Sequence, residues 1–171
     1  MTEKVVVLGA GYAGAGAVQS LEAELEHTDA ELTWISENNY HLVLHESPCV
    51  IRDPSVEDDI KIPVGEIASP GTEFVQARVE SVDTDDQTVE LDGDDAVDYD
   101  YLLVALGSQT AYYGIPGMEE NALTLKGLDD AHEIHRQVEE AASRASRNDP
   151  AKVVIGGAGL SGIQSAGEIA E

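Results

Sequence analysis

The chain has 171 residues, of which 34 are acidic and 9 are Lys or Arg, giving a formal net charge of −25 at pH 7. This charge disfavours nucleic acid as a partner, because an acidic surface repels a phosphate backbone. The length allows one domain with a hydrophobic core and part of another, and the single cysteine, Cys49, excludes an intramolecular disulfide.

The acidic residues are spread along the chain rather than gathered in a tail. A dispersed acidic surface is typical of proteins that work in concentrated salt, where charges are screened over about 3 Å at 1 M. We therefore expect a halophilic-type surface, with an ordinary acidic protein as the alternative. The lack of a long apolar run and of a signal-peptide pattern predicts a cytoplasmic location.

The first predicted element is a β–α–β unit over residues 3–35. The apolar run 5–8 leads into Gly9-Ala10-Gly11-Tyr12-Ala13-Gly14, a helix-compatible stretch follows, and residues 31–35 form the next strand. In such a motif the first glycine permits a tight turn, the second lets a diphosphate approach the backbone, and the third lets the helix pack closely on the strand. The helix start offers N–H groups to phosphate. The unit therefore predicts a dinucleotide site.

The middle of the chain predicts a mixture of loop, strand and helix. Residues 36–73 are read as irregular, because four prolines interrupt them. Residues 74–92 alternate as in an antiparallel hairpin or meander. The apolar run 101–106 predicts a strand buried on both faces, and residues 128–147 have helical spacing. A break near 110–120 divides the predicted domains, 1–113 and 114–171.

A second strand–glycine–helix unit follows at the end of the sequence. The run Val153-Val154-Ile155 precedes Gly157, Gly159 and Gly162 in the same spacing as the first motif. Two dinucleotide sites in one chain suggest electron transfer between a nicotinamide and a flavin. Because the sequence stops before a following strand and its ribose carboxylate, we expect a truncated domain whose nucleotide site is not competent alone. The predicted fold is α/β and Rossmann-like, with a parallel sheet and an antiparallel β-meander.

Three stretches together resemble the two-dinucleotide flavoprotein oxidoreductases: the first glycine motif, the strand at 99–108 and the motif at 156–168. Within that family the likeness is greatest to type II NADH dehydrogenases. Their segments N-N-Y-H-L, F-G-I-P-G-L-E-E-N-A and L-K-S-L-E-D-A resemble residues 38–42, 113–122 and 125–131. Sulfide:quinone oxidoreductases share much of the pattern but rely on several redox cysteines. The disulfide-reductase branch requires C-x-x-x-x-C, which the sequence lacks.

The resemblance implies FAD on the first unit, NADH or NADPH on the second, and a quinone-type electron acceptor. It also implies that any membrane contact is made by a carboxyl-terminal part beyond residue 171. The fragment alone is not expected to oxidise NADH. The alternatives are a sulfide:quinone oxidoreductase-like flavoprotein and a non-catalytic flavin-binding sensor.

The same resemblance implies the site residues. For FAD they are the loop Gly9, Gly11, Tyr12, Ala13 and Gly14; the ribose candidates Glu37 and Ser36, with Asn38 beside them; His45; and Ala105, Leu106 and Gly107, where Leu106 replaces the family's Thr. Val79 is read either as a backbone contact to adenine or as core. Gly157, Gly159 and Gly162 are assigned to NAD(P)H. No catalytic residue and no metal site is predicted: His41 is expected in a surface or loop role, and Cys49 as an inert thiol.

Overall fold

The computed structural model describes residues 2–170, which form two compact units. The first comprises residues 2–42 and 62–108, and the second comprises 43–61 and 109–170. In chain order the elements are β1 (Glu3–Leu8), α1 (Tyr12–Leu25), β2 (Ala30–Ser36), β3 (Tyr40–Leu42), α2 (Cys49–Arg52), β4 (Lys61–Pro63), α3 (Val64–Ile67), β5 (Glu73–Gln76), β6 (Val79–Asp83), β7 (Thr88–Leu91), β8 (Ala96–Asp98), β9 (Tyr101–Val104), α4 (Met118–Asn121), α5 (Leu128–Arg144) and α6 (Leu160–Ala170). Two 3₁₀ segments, Leu44–Glu46 and Pro54–Ile60, flank α2.

The first unit is built on a parallel sheet with strand order β5-β2-β1-β9. A separate antiparallel sheet, β6-β7-β8, is a meander of consecutive strands. The helix α1 connects β1 to β2, as a parallel pair requires a crossover. The predicted β–α–β unit and the predicted α/β fold with a parallel sheet and a meander are confirmed.

The second half of the central strand β1, Val5–Leu8, is apolar because it is covered on both faces. Val5 and Val7 pack with Val18 of α1 and Trp34 of β2 in one hydrophobic cluster. The alternate residues of β1, Val6 and Leu8, pack in a second cluster with Val89 and Leu91 of the meander and with Tyr99, which follows β8. Period-two alternation thus divides β1 between the α1 layer and the meander layer.

The second unit is helical. The short helix α2 packs against both α5 and α6, and its residues Val50 and Ile51 are buried. On α5, Leu128 and Ala131 are the buried positions. The predicted helix at 128–147 is confirmed, although it ends at Arg144.

The structure corrects four expectations about secondary structure. Residues 36–73 contain several short helices and strands rather than one irregular loop. The segment Glu73–Gln76 is not part of the meander; it is the parallel strand β5, paired with β2. The strand β9 is at the sheet edge, so Tyr101 and Val104 are 57% and 60% exposed instead of buried on both faces. The run 153–155 joins no ladder among residues 2–170, and Val154 is 92% exposed.

Candidate functional site

The first candidate site is assembled at the carboxyl edge of the parallel sheet. The loop Gly9–Gly14 follows β1, residues 36–38 end and follow β2, and residues 105–107 follow β9. Backbone hydrogen bonds fix these segments to one another: Gly9 N donates to Ile35 O at 2.7 Å, and Ala105 N donates to Leu8 O at 2.8 Å. Because ligands of open α/β sheets bind beyond the carboxyl ends of the strands, this edge is the expected position for a dinucleotide.

The three glycines of the first loop are required for different reasons. Gly9 has φ of +100°, and a Cβ there would collide with the carbonyl oxygen of Ala105. A Cβ at Gly14 would overlap the carbonyl oxygen of Gly9. Gly11, in contrast, has an ordinary φ of −73°, and a Cβ there would meet nothing within 4 Å. The protein's own packing therefore explains Gly9 and Gly14, and leaves open space in front of Gly11.

Two buried side chains that the sequence analysis missed hold this loop in place. The indole Nε1–H of Trp34 donates to the carbonyl oxygen of Gly9 at 2.9 Å. The Nδ1 atom of His41 lies 2.8 Å from the carbonyl oxygen of Ala10, and the His41 ring packs edge-on against Tyr12 with centroids 4.6 Å apart. The expected surface role of His41 is wrong, since the residue is only 5% exposed. The one signal in the sequence was the position of Trp34, the only tryptophan, on the strand that follows the motif.

The second glycine loop repeats the local geometry of the first. Gly157 has φ of +113°, and a Cβ at Gly162 would lie 2.5 Å from the carbonyl oxygen of Gly157. A Cβ at Gly159 would again meet nothing within 4 Å. The hydrogen bond from Ile163 N to Gly159 O (3.1 Å) corresponds to the bond from Ala15 N to Gly11 O (2.9 Å).

The remaining predicted residues differ in exposure. Ser36 is buried at the end of β2, while Glu37 and Asn38 are exposed. The amide of Gln76 donates to the Glu37 carbonyl oxygen at 3.1 Å. Val79, the first residue of β6, packs against the meander-side cluster, which is the core alternative considered for it.

Residues 105–107 form the other exposed part of the first site. Leu106 is largely exposed, and Gly107 has a positive φ of +79°. His45 belongs to the second unit, in a 3₁₀ segment, where its carbonyl oxygen accepts a hydrogen bond from Gln164 of α6 at 3.3 Å.

Three segments of the candidate sites contain no charged residue despite the net charge of −25, and only Glu37 brings a charge to the segment after β2. Residues 5–21, 101–118 and 153–167 contain no Asp, Glu, Lys or Arg. The first turns of α1 and α6 contain no acidic residue, whereas the first turn of α5 carries Asp129 and Asp130. A carboxylate at a helix amino terminus would compete with a bound anion for the helix dipole and the N–H groups.

The thiol of Cys49 is poorly suited to redox chemistry. Burial, followed by the nearby carboxylates of Glu168 and Glu46, raises the pKa of this thiol. Its Sγ atom lies 3.6 Å from Glu168 Oε1 and 3.7 Å from Glu46 Oε2. Because the thiolate is the reactive form, these neighbours support the expectation of an inert thiol.

A cavity of about 270 Å³ lies elsewhere in the first unit. It is lined by Val64, Gly65, Ala68, Ser69, Pro70, Thr72 and Phe74, beside the amino-terminal end of β5. The glycine loop is at the carboxyl edge of the same sheet, so the cavity is not part of the predicted dinucleotide site.

Among residues 2–170, no group of three or more His, Cys, Asp or Glu side chains could hold a metal ion. Within the same range, no helix is both long enough and apolar enough to cross a bilayer.

Residues 3–171 match the family model described as pyridine nucleotide-disulphide oxidoreductase. The chain belongs to this family. Over 178 aligned residues it is 34% identical to the type II NADH:quinone oxidoreductase of Staphylococcus aureus, an alignment that covers 99% of this chain and 43% of the relative. The resemblance stated from the sequence motifs is therefore confirmed. The chain spans less than half the length of the curated relatives that it matches.

Two solved structures of oxidoreductases share the fold. The sulfide:quinone oxidoreductase of Aquifex aeolicus superposes with a TM-score of 0.71 at 26% identity, covering 84% of this chain and 33% of that one. The NADH:rubredoxin oxidoreductase of Clostridium acetobutylicum superposes with a TM-score of 0.72 at 22% identity, covering 99% of this chain and 42% of that one.

Proposed function

We propose that the complete protein is an FAD-dependent oxidoreductase that passes electrons from NADH or NADPH through the flavin to a quinone-type acceptor. The observation that carries the proposal is the pair of middle glycines. Gly11 and Gly159 each leave open space where a side chain would stand, and no internal packing explains their identity. Each lies immediately before a helix whose first turn has no carboxylate. Two such loops suit two pyrophosphates.

The residues at the carboxyl edge of the first sheet fit FAD. The Gly9–Gly14 loop would bind the pyrophosphate with backbone N–H groups, including those of Tyr12 and Ala13. The exposed Glu37 is a better ribose ligand than Ser36, which is buried, and Asn38 is accessible beside it. The backbone of residues 105–107 would contact the flavin nucleotide, since Leu106 offers no side-chain hydroxyl. His45 and the backbone of Val79 remain predicted contacts.

The second loop, with Gly157, Gly159 and Gly162, fits NAD(P)H in the same way. When bound, FAD supplies the redox chemistry by accepting a hydride from the nicotinamide and releasing electrons to the acceptor. The chain's own contribution is to bind and orient. Its charge-free loops meet phosphate with helix dipoles and N–H groups rather than with lysine or arginine. We keep the division at 113/114 as the proposed boundary between the FAD and NAD(P)H domains.

A sulfide:quinone oxidoreductase-like activity is the second candidate, favoured by the Aquifex structure at 26% identity. Within residues 1–171, the raised pKa of Cys49 disfavours this thiol as the sulfide acceptor, because a sulfide acceptor cysteine needs thiolate character. A flavin-binding sensor without turnover is the third candidate.

Reduction of a membrane-held quinone would place the complete enzyme at the cytoplasmic face of a membrane. The acidic surface suits a high-salt cytoplasm.

The test compares the complete wild-type protein with Gly11→Val and Gly159→Val. We expect wild type to bind FAD and to reduce a soluble quinone analogue with NADH. Gly11→Val should lose at least about 90% of its FAD, because a branched side chain would occupy the phosphate position. Gly159→Val should keep its FAD but raise the KM for NADH about tenfold or more. Equal FAD content in wild type and Gly11→Val would overturn the first site, and an unchanged KM in Gly159→Val would overturn the second.

The acceptor and the turnover are tested separately. Wild type is assayed with NADH and a quinone analogue, and then with sulfide and the same analogue. Faster quinone reduction with sulfide would favour the second candidate. Tight FAD binding with no turnover from NADH, NADPH or sulfide would favour the sensor.

A further inference from the structure

The segment 43–61 follows β3 and ends at the first residue of β4, yet it belongs to the second compact unit. Its helix α2 packs against α5 and α6. The only site residue predicted from the sequence in this segment is His45, as a flavin contact. Hydrogen bonds and ion pairs join the segment to α5 and α6.

The contact with α6 centres on Glu168. Arg52 Nε lies 3.2 Å from Glu168 Oε2, and the Glu168 side chain is only 19% exposed. The other carboxylate oxygen accepts from the Cys49 thiol at 3.6 Å. Among the described residues, Oε2 accepts no hydrogen bond, so the charge of Arg52 is its main compensation. A mostly buried carboxylate is costly unless a positive charge is paired with it.

The contact with α5 uses two histidines spaced one turn apart. His132 Nε2 lies 2.6 Å from Glu57 Oε2, and His135 Nδ1 lies 2.8 Å from the carbonyl oxygen of Ile51. The other carboxylate oxygen of Glu57 accepts from Lys61 Nζ at 2.6 Å. Segment 43–61 is thus attached to α5 and α6 at separate points.

We infer that Arg52 is a positioning residue for the second dinucleotide site, acting through its ion pair with Glu168. The inference rests on the proposed function, which assigns the loop before α6 to NAD(P)H. Glu168 lies eight residues after Leu160, the first residue of α6, so roughly 12 Å of continuous helix joins the pair to the glycine loop. Fixing the carboxyl-terminal half of α6 fixes the direction of its amino terminus, which would face the pyrophosphate.

The kinetic test uses three variants of the complete enzyme. Arg52→Met removes the ion pair, Arg52→Lys keeps the charge, and Arg147→Met is the control, since it removes one positive charge from an exposed position of the same unit. We expect Arg52→Met to raise the KM for NADH about fivefold, which corresponds to about 1 kcal/mol of binding free energy. Its kcat and FAD content should match those of the control. Arg52→Lys should recover most of the loss. A KM for Arg52→Met equal to that of Arg147→Met overturns the inference.

A second measurement does not depend on NADH turnover. Amide hydrogen exchange of residues 160–170 should be faster in Arg52→Met than in wild type or Arg147→Met, because the helix loses its attachment. In a Glu168→Gln background, Arg52→Met should add little further, since coupled residues are not additive. Unchanged exchange in α6, or full additivity, overturns the inference. If wild type does not oxidise NADH, the proposed function fails, and the exchange data still decide whether Arg52 positions α6.

Discussion

The glycine loops at residues 9–14 and 157–162 share a backbone conformation but differ in their surroundings. In both, the first glycine has a positive φ and the third faces the carbonyl oxygen of the first. The strand before the first loop is paired on both sides and buried, from Val6 to Leu8. The residues before the second loop, Val153–Ile155, are exposed and join no ladder within the described range.

This comparison separates what is encoded locally from what is not. The turn and the start of the helix depend on glycines five residues apart, which every copy of the motif contains. The strand depends on partners distant in sequence: Val7 of β1 pairs with Trp34 on one side and Leu103 on the other. A glycine motif therefore predicts the loop more securely than it predicts the strand before it.

The largest expected effect comes from the third glycine of the first loop. Gly→Ala within a helix normally stabilises by up to about 1 kcal/mol. We expect Gly14→Ala instead to destabilise by about 3 kcal/mol, because the new Cβ would overlap Gly9 O in a loop that β1 holds rigidly. Gly16→Ala in the same helix is the control, since its Cβ would meet nothing within 4 Å. Thermal unfolding followed by circular dichroism measures both.

The loss of stability can be measured in the same way for the third glycine of the second loop. Gly162→Ala, with Gly167→Ala as its control, should cost less than Gly14→Ala, because the exposed residues before the loop can shift. An equal or larger loss in Gly162→Ala would show that the second loop is as rigidly supported as the first.

The next prediction concerns the side-chain support of the first loop. Trp34→Phe keeps a ring against Phe74, whose centroid lies 5.8 Å away, but it removes the donor to Gly9 O. We expect a loss of about 2 kcal/mol in unfolding free energy, from the unsatisfied carbonyl and the smaller ring. FAD affinity should fall while the KM for NADH is unchanged. Phe74→Leu, which keeps the hydrogen bond, should leave FAD affinity near wild type; a similar loss in both variants would mean that ring packing matters rather than the bond to Gly9.

The difference between local and long-range interactions also decides which elements could be predicted from the sequence. The unit β1–α1–β2 was predictable because its periodicity and its glycines are contiguous. The pairing of Glu73–Gln76 with β2 could not be predicted. An alternating pattern suits an antiparallel meander strand as well as a parallel one, and the two strands are far apart in sequence. The apolar run at β9 could not reveal an edge position, since edge and centre differ only in what lies beside the strand.

In the candidate site, too, local features could be predicted and long-range contacts could not. The glycine positions could be predicted from spacing alone. The contacts of Trp34 and His41 with the loop carbonyls could not, because they depend on the register of β2 beside β1 and on the path of the chain to β3. The role of segment 43–61 was also invisible, since its partners on α5 and α6 lie far along the chain.

Salt should act on the acidic surface outside the charge-free loops. We expect the melting temperature to rise by about 3 °C or more between dilute buffer and molar KCl, because screening relieves self-repulsion equivalent to about 1 kcal/mol. Sucrose at equal osmolality is the control for a non-ionic effect. A melting temperature that is flat or falls with KCl would remove the halophilic interpretation.

The smallest predicted effect is on the alkylation rate of Cys49 in the second unit. Burial, and then the charges of Glu168 and Glu46, raise the pKa of the thiol, so at pH 8 less thiolate is present than in an unfolded chain. Alkylation of Cys49 by iodoacetamide, followed by mass spectrometry of its peptide, should therefore be slower in the folded protein than in urea. Glu46→Gln removes one repelling charge and should speed alkylation about twofold to threefold, the scale of a single partly exposed charge contact. Glu37→Gln, an equal charge change in the first unit, should leave the rate unchanged. An equal acceleration in both variants would mean that net charge, rather than the neighbours of Cys49, governs its reactivity.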